Sequence, residues 1–287
     1  MRSVLQKGYA PTSVGQVHYC RVGEGDPVVL LPPSGQSSIV HADLMRYLSQ
    51  RYLVVGLDPP GWGRSDPLPA GATIKDIGTW LAQALESLGL QGVNLYGLHT
   101  GNKLATALAV SAKVSVRKLA IAGLSHSLIP DPKRRRQLFL EHVPSLAAGR
   151  VSNNHANTLK TWMAWYSEMT SLWFDDAVLA QMTSVEASNH RLEVLIDHMQ
   201  GLSAKAPLYA ANLAYEFEHD LASLRVPTLI LEVVTPGEEK LIGRQGPKLQ
   251  EIIKDSSWVA LDEPDIKRPT FQHRANDIGR VLMDFFA

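Results

Sequence analysis

Gly97-Leu98-His99-Thr100-Gly101 is the stretch that decides the fold. Before it, Val93-Asn94-Leu95-Tyr96 reads as a strand; after it, Thr100 to Ala112 reads as a helix. A sharp strand-to-helix turn with glycine at both ends lets its middle residue stand above a sheet in a strained backbone. In the pattern G-x-S-x-G that middle residue is a serine nucleophile. Here it is His99: the frame is kept, and an imidazole replaces the hydroxyl.

Working outward, Val28-Val29-Leu30-Leu31 is an unbroken apolar run, as a strand buried on both faces requires, and it ends at the turn signal Pro32-Pro33-Ser34-Gly35. A helical stretch over 38–49 follows, and then a second buried strand, Leu53-Val54-Val55-Gly56-Leu57. Val17 to Arg21 alternates and reads as an outer strand. Thr73 can cap a helix running through Leu88, in which Ile77, Leu81, Leu85 and Leu88 share a face. Leu119 to Ala122 is another buried strand. Strands alternating with helices imply crossover connections and a largely parallel sheet. From residue 127 to about 222 the periodicity is helical, with aromatic clusters and no convincing strand. Sheet building resumes with Thr228 to Val234 and Trp258 to Leu261, and a helix over Ala275 to Phe286 closes the chain.

The chain has 287 residues, with 28 basic and 28 acidic side chains, so its charge gives no reason to expect a nucleic acid or an acidic membrane surface as partner. Lys133-Arg134-Arg135-Arg136 reads as a solvated helix face. Cys20 is the one cysteine, which excludes an intrachain disulfide. The first residues lack the apolar run of a signal peptide, and no stretch approaches the roughly 18 apolar residues of a membrane span. The expectation is a cytoplasmic protein without membrane association, metal or other cofactor.

Four features in order make the chain resemble the α/β-hydrolase superfamily: the strand Val28–Leu31 with its turn, the loop Asp58-x-Pro60-Gly61-x-Gly63-x-Ser65-Asp66, the elbow at His99, and the late strand through Val234. The stretch from Lys7 to Tyr19 also resembles bacterial members, some of which carry G-x-H-T-G at the elbow. The resemblance implies a mostly parallel sheet flanked by helices, formed by residues 1–126 and 223–287, with residues 127–222 inserted as a helical cap. Trp162, Trp165, Tyr166, Trp173 and Phe174 would then line or roof an apolar pocket.

The superfamily's site uses an elbow nucleophile, an acid after a late strand and a histidine before the last helix. His99 fills the first slot and could act as base or nucleophile. Glu238, in Thr235-Pro236-Gly237-Glu238-Glu239, matches the acid, with Glu239 its neighbour. The histidine slot is changed: the stretch 262–270 holds no histidine, and His273 comes about a turn late. His126 follows the strand ending at Ala122 and is a further auxiliary candidate. The backbone amides of Ser34 and Thr100 match an oxyanion hole, which needs donors rather than particular side chains. Asp58, Arg64 and Asp66 have the composition of a hydrogen-bonded loop rather than a catalytic set. These residues imply a hydrolase, or a related lyase, acting on a small apolar molecule without an acyl-serine intermediate. The alternative is a catalytically inactive hydrolase frame kept as a ligand-binding or partner protein, and an exposed apolar cap face would be enough for a homodimer.

Overall fold

The computed structural model describes residues 4–123, 125–131, 199–234, 242–262 and 274–287, together with scattered positions between 133 and 197 and residues 239 and 240. Eight strands form one sheet: β1 (Gln6–Thr12), β2 (Gly15–Val22), β3 (Asp26–Leu31), β4 (Tyr52–Leu57), β5 (Val93–Leu98), β6 (Val116–Ala122), β7 (Thr228–Val234) and β8 (Ser256–Asp262). Their spatial order is β1-β2-β4-β3-β5-β6-β7-β8. β2 pairs antiparallel with both of its neighbours, and every pair from β4 to β8 is parallel. This is the mostly parallel, helix-flanked sheet that the alternating pattern predicts.

One strand reads differently from the sequence. Val17–Arg21 lies within β2, one place in from the edge, because β1 covers it in a hairpin. β1 escapes the periodicity reading because an edge strand has little to bury: Ala10 is the one residue of Gln6–Thr12 that is fully buried.

Seven helices are labelled here: α1 (Ala42–Leu48), α2 (Ile74–Ser87), α3 (Thr100–Ser111), α4 (Leu202–Ala214), α5 (Phe217–Ala222), α6 (Gly246–Ile252) and α7 (Ala275–Phe286). α2 starts at a capping box: Thr73 Oγ1 accepts from the Asp76 amide, and the Asp76 carboxylate accepts from the Thr73 amide. The sheet separates two cores. On one face Leu81 and Leu85 of α2 and Leu104 and Leu108 of α3 pack on Val29, Leu95 and Leu119. On the other, Met45 and Leu48 of α1 and Ile278 and Leu282 of α7 pack on Leu30, Val54 and Leu231. Burying side chains of this size contributes roughly 1.5–3 kcal/mol each.

Register positions the site. Leu31 of β3 pairs with Gly97 of β5, and Gly97 pairs with Ile121 of β6. Three neighbouring parallel strands therefore end at one level. The loop carrying Ser34, the turn at His99 and the loop beginning at Gly123 emerge side by side at the carboxyl edge, where sheets of this kind place their ligands.

Candidate active site

His99 has φ 50° and ψ −106°, one of two non-glycine residues at positive φ among those described. Both flanking glycines are required by close backbone approach. A Cβ on Gly97 would sit 2.4 Å from the Gly101 carbonyl oxygen, and one on Gly101 would sit 2.2 Å from that of Leu31. The strained turn is held from β6: the His99 amide donates to the Ala122 carbonyl at 3.0 Å. Asn102, buried, adds a two-point clamp, its Nδ2 donating to the Ala122 carbonyl and its Oδ1 accepting from the Ala122 amide, each at 2.9 Å. Strain at a non-glycine residue costs of order 1–3 kcal/mol and persists only where surrounding structure over-determines it; these bonds supply that restraint.

The His99 side chain is partly exposed. Its ring lies over the backbone of Gly123, where a Cβ would meet Cε1 at 2.7 Å and Nδ1 at 2.9 Å. Gly123 itself has φ 75°. The ring thus packs against a glycine just past the end of the adjacent strand.

Ser34 and Thr100 are brought together beside it. The side-chain hydroxyls are 2.5 Å apart, and Asn212 Nδ2, from the last turn of α4, donates to Ser34 Oγ at 3.4 Å and to Thr100 Oγ1 at 3.3 Å. Tyr209, a turn earlier on α4, hydrogen-bonds the Ser34 side chain; its surroundings push its hydroxyl up to about 12. Neither the Ser34 nor the Thr100 amide donates to another backbone group among the described residues. Lys103, one turn along α3 from His99, is buried and donates to the Asn212 carbonyl at 3.1 Å. Loss of hydration lowers its pKa to about 7.

The loop after β3 is also fixed from two directions. The Asp58 carboxylate accepts from the Ser38 amide at 2.7 Å, the Arg64 amide at 3.1 Å and His18 Nδ1 at 2.8 Å. Asp197 accepts from the Ser37 amide at 2.7 Å, and burial raises its carboxyl to about 6. Asp66 accepts from the Gln16 amide, so the turn-rich loop is hydrogen-bonded along its length.

The remaining sequence candidates are placed only in part. Glu239 is exposed and pairs with Arg244 at 3.2 Å. His126 opens a short 3-10 turn, His126–Leu128, beyond Gly123. Glu238, His273, Trp162, Trp165, Tyr166, Trp173 and Phe174 lie outside the described residues, as does the His126 side chain. Glu232, on β7, is the buried acid near the strand's end. It accepts from the Gln245 amide at 2.7 Å and the Gly246 amide at 3.1 Å, capping α6 rather than facing His99. A solvent-open cleft bounded by Ser127, Arg135, Tyr215, Glu218 and Lys248 does not include the elbow. Among the described residues, no group of three or more His, Cys, Asp or Glu side chains could hold a metal.

The family described as alpha/beta hydrolase fold matches residues 26–231. This chain belongs to that family. Among curated relatives, an (E)-2-((N-methylformamido)methylene)succinate hydrolase from Acinetobacter baylyi is 26% identical over 58% of this chain and 64% of its own length. The match thus spans just under two thirds of that relative. A 2-hydroxy-6-oxononadienedioate/2-hydroxy-6-oxononatrienedioate hydrolase from Paraburkholderia phymatum is 32% identical over 75% of this chain and 73% of its own. Among solved structures, an enol-lactonase from Burkholderia xenovorans superposes with a TM-score of 0.74 at 19% identity, covering 97% of this chain and 99% of that one. At that identity the likeness is one of α/β-hydrolase architecture. No helix among the described residues is long and apolar enough to cross a membrane.

Proposed function

We propose that this α/β-hydrolase-fold protein hydrolyses a small organic carbonyl compound, an ester or lactone, with His99 as base towards water and residues 127–222 as a cap over the site. The observation that carries the reading is the position of the imidazole. It is held in strained backbone at the sheet's carboxyl edge, partly exposed, beside the Ser34 and Thr100 amides.

In this scheme the His99 imidazole takes a proton from water as the water oxygen attacks the carbonyl carbon. The carbonyl π electrons move to oxygen, and the resulting oxyanion accepts from the Ser34 and Thr100 amides, the second at the N-terminus of α3, where the helix dipole favours negative charge. The intermediate collapses by breaking the bond to the leaving group, which takes the proton from the imidazolium. Glu238 is the residue proposed to orient the ring. Without a covalent path the uncompensated barrier is several kcal/mol higher, which suits an activated substrate better than an ordinary ester. The relatives, named as hydrolases of small oxo- and amido-substituted dicarboxylates, support hydrolysis of a small organic molecule.

Turnover of nitrophenyl esters and lactones by the purified protein, compared with His99→Ala, tests this. Removing a general base is expected to lower kcat about 10²–10⁴-fold. His99→Ser is expected not to restore activity, because the stretch 262–270 supplies no histidine to activate the serine. Equal turnover by wild type and His99→Ala would remove His99 from the mechanism. Binding of a small ligand with no turnover of any substrate tried would favour a ligand-binding protein on the same frame.

A further inference from the structure

Lys103 is buried without an opposing charge among the described residues. Its side chain is enclosed, with the residue 6% exposed, and among the described residues it hydrogen-bonds the carbonyl of Asn212 alone. No carboxylate among the described residues pairs with it, and burial lowers its pKa. A cation removed from water and left unpaired disfavours the fold. Asn212, its partner, is 5% exposed, and its carboxamide oxygen has no donor. The nitrogen end reaches two hydroxyls at 3.3 and 3.4 Å, the long limit for such bonds. Ser34, Thr100 and Tyr209 add three hydroxyls, all on residues that keep some solvent exposure. Around the nitrogen end of Asn212 the acceptors are hydroxyl oxygens, which must also act as donors. The cluster lacks an acceptor-only group with a negative charge.

We propose that Ser34, Thr100, Tyr209 and Asn212, with Lys103 behind them, form a subsite for a carboxylate carried by the substrate. One carboxylate oxygen replaces the long contacts of Asn212 Nδ2, the other takes a hydroxyl hydrogen of the Ser34–Thr100 pair, and Lys103 supplies the counter-charge across a single residue. Charge-assisted bonds of this kind are shorter and stronger than the neutral ones they replace. Because Ser34 and Thr100 also carry the two amides proposed for the oxyanion, the carboxylate lies close to the reacting carbonyl. Lys103 is then a specificity-determining residue. Its burial disfavours the free fold and is offset when the anion binds. That the carboxylate belongs to a substrate rests on the hydrolase reading; that a carboxylate binds here does not.

Calorimetric titration at pH 6, where Lys103 is protonated, tests the subsite with malonate, succinate and glutarate against succinamide as the uncharged control. At least one dicarboxylate is expected to bind, at least tenfold more tightly than succinamide. Lys103→Met and Asn212→Leu are each expected to weaken it about tenfold or more. Lys103→Met should fold, because a thioether suits a buried site. It should also melt several degrees above wild type at pH 7: the lowered pKa of Lys103 disfavours the fold at and below pH 7, and that penalty fades only as pH rises towards the unfolded value. Equal dicarboxylate binding by wild type and Lys103→Met, or no preference over succinamide, overturns the proposal. His99→Ala separates the two readings: retained dicarboxylate binding without any wild-type turnover defeats the hydrolase and keeps the subsite. Ester turnover that depends on His99, with no dicarboxylate binding, does the reverse.

Discussion

Gly123 determines where the His99 ring can lie. Its φ of 75° suits glycine, and the imidazole occupies the space that a side chain would need. Gly123→Ala therefore combines backbone strain of about 1–2 kcal/mol with displacement of the ring. A displacement of about 1 Å can cost on the order of 100-fold in rate. The expected outcome is a protein that folds, with a slightly lower melting temperature and kcat reduced to that degree towards any ester the wild type turns over. Unchanged kcat would mean that the ring position seen here is not the working one. At this scale the sequence was legible only where spacing is local. Gly97, His99 and Gly101 declare themselves because the turn needs small residues at both ends. Gly123, Asn102, Lys103, Tyr209 and Asn212 do not, since their roles come from strand register and from the docking of α4 on α3. A polar Asn102 and a charged Lys103 among Leu104, Ala105, Ala107 and Leu108 were the available signal: such residues on a buried helix need partners.

Helix α4 brings Tyr209 and Asn212 to the elbow, so its seat on the rest of the molecule affects the site. Gly201 precedes it and touches the ring of Trp62, where a Cβ would fall 1.9 Å from Cε3. Trp62 is 1% exposed and packs within the core cluster. Ala204, one turn into the helix, likewise packs on Gly61. Gly201→Ala should thus destabilise the protein by about 1–3 kcal/mol, the usual range for overpacking, despite alanine's better helix propensity. Denaturant unfolding measures this, and a neutral or stabilising effect would show that α4 can shift off Trp62 at little cost. Elements with strong periodicity were legible: α2, with its Thr73 cap, and the buried strands β3 to β7 fall where the pattern puts them. β1 was not, because one face of an edge strand carries little signal. The role of Glu232 was also hidden. A sequence shows an acid in a strand, whereas its capping of α6 depends on a helix that starts a dozen residues later and folds back.

At the level of the whole molecule, two buried groups act on stability in opposite directions across the same pH range. Asp197 is raised from 3.8 to about 6 by burial, so between those values the folded chain holds a proton that the unfolded chain has lost. Stability from this group is complete at low pH and falls as pH rises to 6. His41, fully enclosed beside Tyr96, is lowered from 6.5 to about 4 by burial. Between pH 4 and 6.5 the unfolded chain holds the extra proton, so stability from His41 falls as pH drops. Each shift corresponds to roughly 3 kcal/mol, and from pH 4 to 6 the two largely cancel. Asp197→Asn separates them, since asparagine keeps an oxygen for the Ser37 amide and removes the charge. Every other titrating group is common to both proteins and drops out of the difference. The variant should match wild type below pH 4, gain steadily to pH 6, and stay more stable above it by up to about 3 kcal/mol. On acidification from pH 6 to pH 4 the variant should lose stability more steeply than the wild type, by that same difference. Urea unfolding at half-unit pH steps measures both curves. Parallel curves, offset by a constant at every pH, would show that Asp197 titrates near its ordinary value and that its bond to Ser37 compensates for its burial.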